Sequence, residues 1–251
     1  MKELRKYTHE DRLNIGRQIS DQILSKYKDA VLAVFISGST AKSLDRPYSD
    51  LELIAVVRDG VEIPTKYYLY RGIVIEVDYT QESNMLKAAR RVNKNWPIEA
   101  DQYRNRIVLF EHAHWTRKLD QAVEESDRAD SSEALRVAAV ELTEDLSVLL
   151  NAHLAGDTMG VMNRGRALAG DAAVVVLLLN RCYVTTTSWF WKQAFACELK
   201  PGEFESHVKI AAGFTPASPE EVVTAGQKLY EGVMKMVEAR RIFIDSEELI
   251  V

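Results

Sequence analysis

Only two cysteines, Cys182 and Cys197, occur in 251 residues. That is too few for a disulfide framework, and neither stands in a CxxC or Cys/His metal spacing. Both read as reduced, buried thiols. Long apolar runs are missing as well: Ala172 to Leu179, the most apolar stretch, falls far short of the roughly 20 residues that cross a bilayer. Met1-Lys2-Glu3-Leu4-Arg5 opens in charged residues, unlike a leader. A soluble, cytoplasmic protein without a membrane partner is expected. Basic runs are equally scarce, none being longer than Arg90-Arg91 or Arg240-Arg241, and the net charge is -5. This disfavours nucleic acid as a partner and suits a cationic small molecule better. Repeats and low-complexity segments are absent too. What remains is a chain 47% apolar, enough for one large globular domain or two small ones.

The pattern along the chain divides it in two. Leu13, Ile15, Ile19, Ile23 and Leu24 recur at helical spacing after Thr8, with Asp11 placed to cap the start, which predicts a helix to about Lys28. Two β-rich runs follow, Val31 to Ile36 and Leu51 to Val57. Lys66 to Tyr70 and Ile73 to Tyr79 read as a hairpin turning at Arg71-Gly72, where glycine tolerates positive φ. Trp96-Pro97 reads as a helix breaker before a short strand at Ile107 to Phe110. Helical periodicity then runs almost to the end. Asp130 with Glu133 reads as a capping box opening a helix striped by Leu135, Leu142, Leu146 and Leu149. Further helices are expected over 158 to 180, 187 to 196, 202 to 212 and 218 to 240. The expected fold is α+β: a mixed sheet flanked by helices in a domain over 1–125, then a helical bundle over 126–251.

The chemistry concentrates in Ile36-Ser37-Gly38-Ser39-Thr40-Ala41-Lys42 and in Pro47-Tyr48-Ser49-Asp50-Leu51-Glu52. A strand that ends at Gly38-Ser39 and turns into a helix presents backbone N–H groups and a hydroxyl to a phosphate. The chain returns and starts a new strand at Asp50-x-Glu52, where the period of two puts both carboxylates on one face. Two anionic groups so close call for a cation, and hard oxygen ligands beside a phosphate loop favour Mg²⁺. Gly-Ser after a strand is common, and Asp-x-Glu on a strand ordinarily marks a solvated face. Their combination, with eleven residues between Ser39 and Asp50, resembles the signature of the nucleotidyltransferase superfamily that includes DNA polymerase β. That superfamily needs a third carboxylate on a neighbouring strand. Glu76 is the candidate and Asp78, on the same face, the reserve. Three carboxylates could hold one or two Mg²⁺ ions for in-line displacement at a nucleotide α-phosphate.

Gly38-Ser39, Pro47-Tyr48-Ser49-Asp50-x-Glu52, Trp96-Pro97 and Cys182-Tyr183 followed by Thr185-Thr186 resemble the kanamycin nucleotidyltransferase family over most of the chain. The resemblance implies transfer of a nucleoside monophosphate, usually from ATP, to the 4'-hydroxyl of an aminoglycoside. Pyrophosphate is released and the antibiotic is inactivated. It implies a base on the first long helix of the second domain, where spacing back from Arg181-Cys182 selects Glu144 over its neighbour Asp145. It further implies a homodimer with the active site at the interface, so that the helical domain completes the substrate site. The nucleotide is assigned to Gly38, Ser39, Lys42 and Ser49, and the metal to Asp50, Glu52 and Glu76. Glu99, Asp101, Gln102 and Glu141 are candidates for the drug, because carboxylates bind ammonium groups through charge-assisted hydrogen bonds. Where the family has a phosphate-binding lysine four residues beyond the base, this chain has Val148. Lys42 is the candidate replacement, ahead of Arg46, Arg164 and Arg166.

Other features are read as structural. Glu111-His112-Ala113-His114 lacks the further ligands that a Zn²⁺ site needs. Trp189-Phe190-Trp191 with Phe195 reads as core or dimer packing. Two competing functions stay open: nucleotidyl transfer to a protein or RNA hydroxyl, and a non-catalytic nucleotide-binding module.

Overall fold

In the computed structural model, which describes residues 3–245, the chain begins with helix α1 (His9–Tyr27) and strand β1 (Val31–Ile36). A short helical turn, α2 (Gly38–Ala41), leads by a loop to β2 (Leu51–Val57), β3 (Lys66–Tyr70) and β4 (Ile73–Gln81). Then come α3 (Glu82–Arg90), two single turns α4 (Trp96–Glu99) and α5 (Asp101–Arg104), β5 (Ile107–Glu111) and α6 (Thr116–Arg128). The remaining helices are α7 (Ser132–Leu154), α8 (Thr158–Leu179), α9 (Phe190–Ala196), α10 (Phe204–Ala211) and α11 (Pro219–Ala239). Residues up to Arg91, together with Glu99–Ala129, form one compact unit. Val92–Ile98 groups instead with Asp130 and the residues after it in a second.

The first unit is a five-stranded mixed sheet in the order β3-β4-β2-β1-β5. β2 and β4 run parallel, while the other neighbouring pairs are antiparallel. Strand alternation decides which residues face which layer. Leu51, Leu53, Ala55, Ile73, Ile75 and Val77 pack with Leu13, Ile19 and Ile23 of α1 on one face. Ile54, Val56 and Phe35 pack with Met85 and Ala89 of α3 and with Leu119 and Ala122 of α6 on the other. Thr8 caps α1 in a reciprocal box with Asp11, which satisfies two otherwise unpaired N–H groups. The sequence had signalled neither α3 nor α6 as a layer of its own.

The second unit is helical. The buried run Ala172, Ala173 and Val175 to Leu179 lies along α8, which packs against α7, α10 and α11. Ser218 and Glu221 form a capping box at the start of α11, with Pro219 in its first turn. Three expectations change. Asp130 and Glu133 make no capping box: Asp130 accepts from the N–H and hydroxyl of Ser132, and Glu133 is drawn to Arg136. Trp96-Pro97 opens the α4 turn rather than ending a helix, since proline lacks only a hydrogen that a first turn does not use. Cys197 is buried as expected, but Cys182 is exposed, because it lies past the end of α8.

Gly165 marks a close helix contact in this unit. A Cβ there would lie 2.4 Å from Val222 Cγ1 and 2.8 Å from the Ala211 carbonyl oxygen. In an open helix Gly→Ala stabilises by roughly 1 kcal/mol, but overpacking against fixed backbone costs about 1–3 kcal/mol. Gly165→Ala is therefore expected to lower the urea midpoint, and an unchanged or raised midpoint would contradict this packing.

Candidate active site

The carboxylates gather at one end of the sheet, on the face opposite α1. Glu52 and Glu76 are register partners on the parallel strands β2 and β4, and Asp50 lies two residues before Glu52, at the entry to β2. Glu52 is turned onto Gly38: a Cβ at that glycine would fall 1.5 Å from Glu52 Oε2. Gly38 has φ +64, so the missing side chain serves both the tight turn into α2 and the seat of the carboxylate. The Ser37 N–H donates to the Glu52 carbonyl at 3.0 Å, which ties the turn to the start of β2.

Crowding shows in the acidity of Glu52. Its pKa is pushed up to about 7, first by burial, then by the charges of Asp50 and Glu76, with Lys42 partly offsetting the rise and Asp101 adding to it. Lys42, whose charge acts on Glu52, is already spoken for: its ammonium is paired with the largely buried Asp101, which also accepts from Asn105 Nδ2 at 2.7 Å. Asp78 is engaged by the Thr65 hydroxyl at 2.7 Å. Ser49 Oγ accepts from the Arg46 N–H at 2.9 Å and retains a proton to donate. Arg46 and Glu99 are exposed, and Ser39 and Gln102 half-buried.

Asp50, Glu52 and Glu76 are oxygen donors of the kind that a hard divalent cation takes. Among the described residues no three Asp, Glu, His or Cys side chains stand close enough to grip a metal as they are.

The helical unit has its own acidic group. Glu144 is exposed on α7. The half-buried Glu141 pairs with Lys94, both oxygens at 2.5 Å. Asp171 on α8 is pushed up to about 7 by burial, then by its hydrogen bond with Asp145, the charges of Asp145 and Glu141 adding to it and Lys94 opposing. Burial and the neighbouring Asp145 thus both favour the protonated form of Asp171. Arg164 and Arg166 are exposed on α8, Arg166 donating to the Ala212 carbonyl at 3.1 Å. Val148 is half-buried. Trp96 meets Tyr183 edge-on at 6.3 Å, the Arg181 guanidinium lies 4.7 Å from its ring centre, and the Val184 N–H donates to the Pro97 carbonyl at 2.6 Å. Two distant sequence motifs, Trp96-Pro97 and Cys182-Tyr183, therefore belong to one local cluster.

A family model described as KNTase C-terminal domain matches residues 113–243, just over half of the chain. The chain belongs to the kanamycin nucleotidyltransferase (KNTase) family. Two relatives named "Aminoglycoside nucleotidyltransferase (4')", from Staphylococcus aureus and from Bacillus sp, are each 22% identical over 245 residues. They cover 97% of this chain and 96% of their own. A nucleotidyltransferase-like protein from Exiguobacterium sibiricum 255-15, known from a crystal structure at 1.90 Å, superposes with a TM-score of 0.53 at 13% identity. The match spans 89% of this chain and 75% of that one, a likeness of fold. Within the KNTase frame, the residues that sequence patterns passed over are Arg12, Asp45, Lys94 and Asp171. A signal existed for two of them. Arg12 falls in the buried stripe of α1 with Gly16, Ser20 and Ile23, and Asp171 is a lone acid in the apolar middle of α8.

Two outcomes are expected. Gly38→Ala should turn the Glu52 carboxylate aside and add about 1 kcal/mol of left-handed strain, so that activity falls more steeply than the melting temperature. Asp171 carries a raised folded-state pKa, so its stabilising contribution is complete below the unfolded value near 3.8 and is lost as pH rises through about 7. Asp171→Asn retains a donor toward Asp145 at every pH. Its melting temperature relative to wild type should therefore climb from pH 4 to pH 7 and then level off, whereas a flat difference would mean that Asp171 is not protonated in the folded state.

Proposed function

We infer that this protein transfers a nucleoside monophosphate from a Mg²⁺-bound nucleoside triphosphate, ATP foremost, to the 4'-hydroxyl of an aminoglycoside, releasing pyrophosphate and conferring resistance. The observation that carries this reading is the seat of Glu52 against Gly38, in register with Glu76 and two residues from Asp50. Two relatives named "Aminoglycoside nucleotidyltransferase (4')" along nearly the whole chain support the acceptor. Asp50, Glu52 and Glu76 would hold the metal, which when bound supplies positive charge to the phosphate oxygens.

The other roles belong to the chain itself. Gly38 and Ser39 offer backbone N–H groups to the phosphates, and the Ser49 hydroxyl adds a donor. Lys42 contributes through its field rather than as a free ammonium, since Asp101 already pairs with it. Glu99, exposed, is the open carboxylate for a substrate ammonium. Glu141 exchanges Lys94 for such a group only at the cost of an existing ion pair. Glu144 takes the proton of the attacking hydroxyl, a role its exposure leaves open. In this reading the protein is a cytoplasmic homodimer.

Purified protein with Mg²⁺, ATP and tobramycin or amikacin should release pyrophosphate, and Asp50→Asn should abolish release with an unchanged circular dichroism spectrum. Aminoglycosides without a 4'-hydroxyl should be spared. Silence across a panel of 4'-hydroxyl drugs and nucleoside triphosphates would overturn the acceptor. Glu144→Gln should lower kcat by about 10²- to 10⁴-fold; full activity there, with loss in Asp145→Asn, would move the base by one residue.

A further inference from the structure

Arg12 has no exposed surface, although it is charged at every physiological pH. Withdrawing a guanidinium from water costs several kcal/mol unless its N–H groups are satisfied, so its partners reveal what the burial maintains. Nε donates to the Ser49 carbonyl at 3.2 Å. Nη1 reaches the carbonyls of Tyr7 at 3.0 Å and Thr8 at 3.2 Å and Asp45 Oδ2 at 3.1 Å. Nη2 reaches the carbonyls of Arg46 at 2.7 Å, Pro47 at 3.2 Å and Ser49 at 2.9 Å. Most of these bonds end on Asp45 to Ser49, the loop directly before Asp50.

The same loop is held from other sides. Asp45 is buried and its second oxygen lies 2.7 Å from His9 Nδ1. The Tyr7 N–H donates to the Pro47 carbonyl at 2.9 Å, and Arg46 and Ser49 close a turn on each other, Ser49 N–H to Arg46 carbonyl at 2.9 Å. Backbone N–H groups reach the carbonyls of Arg46 and Pro47 one at a time, and one planar guanidinium joins both of these with the carbonyl of Ser49.

We propose that Arg12 is a positioning residue for the active site: by gathering the carbonyls of Arg46, Pro47 and Ser49 it sets the loop that delivers Ser49 and Asp50. Asp45 is then the counter-ion of Arg12 and not a further metal ligand, despite its place five residues before Asp50. Lysine cannot substitute, because its donors radiate from one atom while the carbonyls approach from both edges of the guanidinium fork. The proposal rests on the reading of Asp50 as a metal ligand.

The test compares wild type, Arg12→Lys, Asp45→Asn and Asp50→Asn in three measurements: hydrogen–deuterium exchange over residues 45–50, Mn²⁺ binding followed by electron paramagnetic resonance, and kcat with KM for the aminoglycoside. Arg12→Lys should keep the circular dichroism spectrum while its loop exchanges faster. Mn²⁺ affinity should fall by about 10- to 100-fold, as when groups that orient metal ligands are lost. kcat should fall while KM for the drug stays. Asp45→Asn, which keeps the guanidinium and its carbonyls, should shift all three in the same direction by less, and it carries the comparison if Arg12→Lys does not fold. Wild-type exchange in the loop of both variants overturns the proposal. So does faster exchange with wild-type Mn²⁺ affinity and kcat while Asp50→Asn loses both, for Arg12 is then a structural tie alone. If Asp50→Asn binds Mn²⁺ like wild type, the metal reading itself falls and the proposal with it.

Discussion

The carboxylate of Glu52 lies against the bare Cα of Gly38, level with Glu76 on the next strand and two residues from Asp50. Burial and like charges both resist such an arrangement, and together they push the Glu52 pKa up to about 7. Much of the first unit is what it takes to impose it. A parallel β2/β4 pair fixes the register, and alternation sends Leu51, Leu53, Ile75 and Val77 into the core with α1, so the acids have only the opposite face to occupy. Gly38 gives up a side chain and adopts positive φ to make room. Lys42, whose charge acts on Glu52, is itself paired with Asp101.

Backbone carbonyls add a second constraint. The loop before Asp50 is neither helix nor strand, and its carbonyls need donors. Arg12, from the inward stripe of α1, reaches those of Arg46, Pro47 and Ser49 together, with Asp45 balancing the charge. The helix that covers one face of the sheet thereby also shapes the loop that enters the site, a link between packing and chemistry that needs no movement.

In the helical unit, a different balance prevails. Glu141 is satisfied by Lys94, and burial, with the hydrogen bond to Asp145, pushes the Asp171 pKa up to about 7. Burial of an acid among the apolar residues of α8 is tolerated because protonation removes the charge that burial penalises. Glu144, one residue from Asp145, stays exposed. A helix turns by about 100° per residue, so neighbours on α7 meet quite different surroundings.

Local rules carried much of the architecture. The β-rich runs Val31 to Ile36, Leu51 to Val57 and Ile73 to Tyr79, the Thr8 cap and the long helices after Asp130 were legible, because they depend on neighbours in sequence. So were Gly38-Ser39 and Asp50-x-Glu52, whose spacing is itself the chemical signal. The capping box at Asp130 misled because two competing partners, Ser132 and Arg136, were equally close in sequence. Tertiary structure alone decided that Lys42 pairs with Asp101, that Asp171 meets Asp145, that Trp96 meets Tyr183 and that Arg12 gathers the loop before Asp50. Each of these joins residues many positions apart, through long side chains whose partners are chosen by which backbones packing brings together. No pattern along the chain encodes that choice.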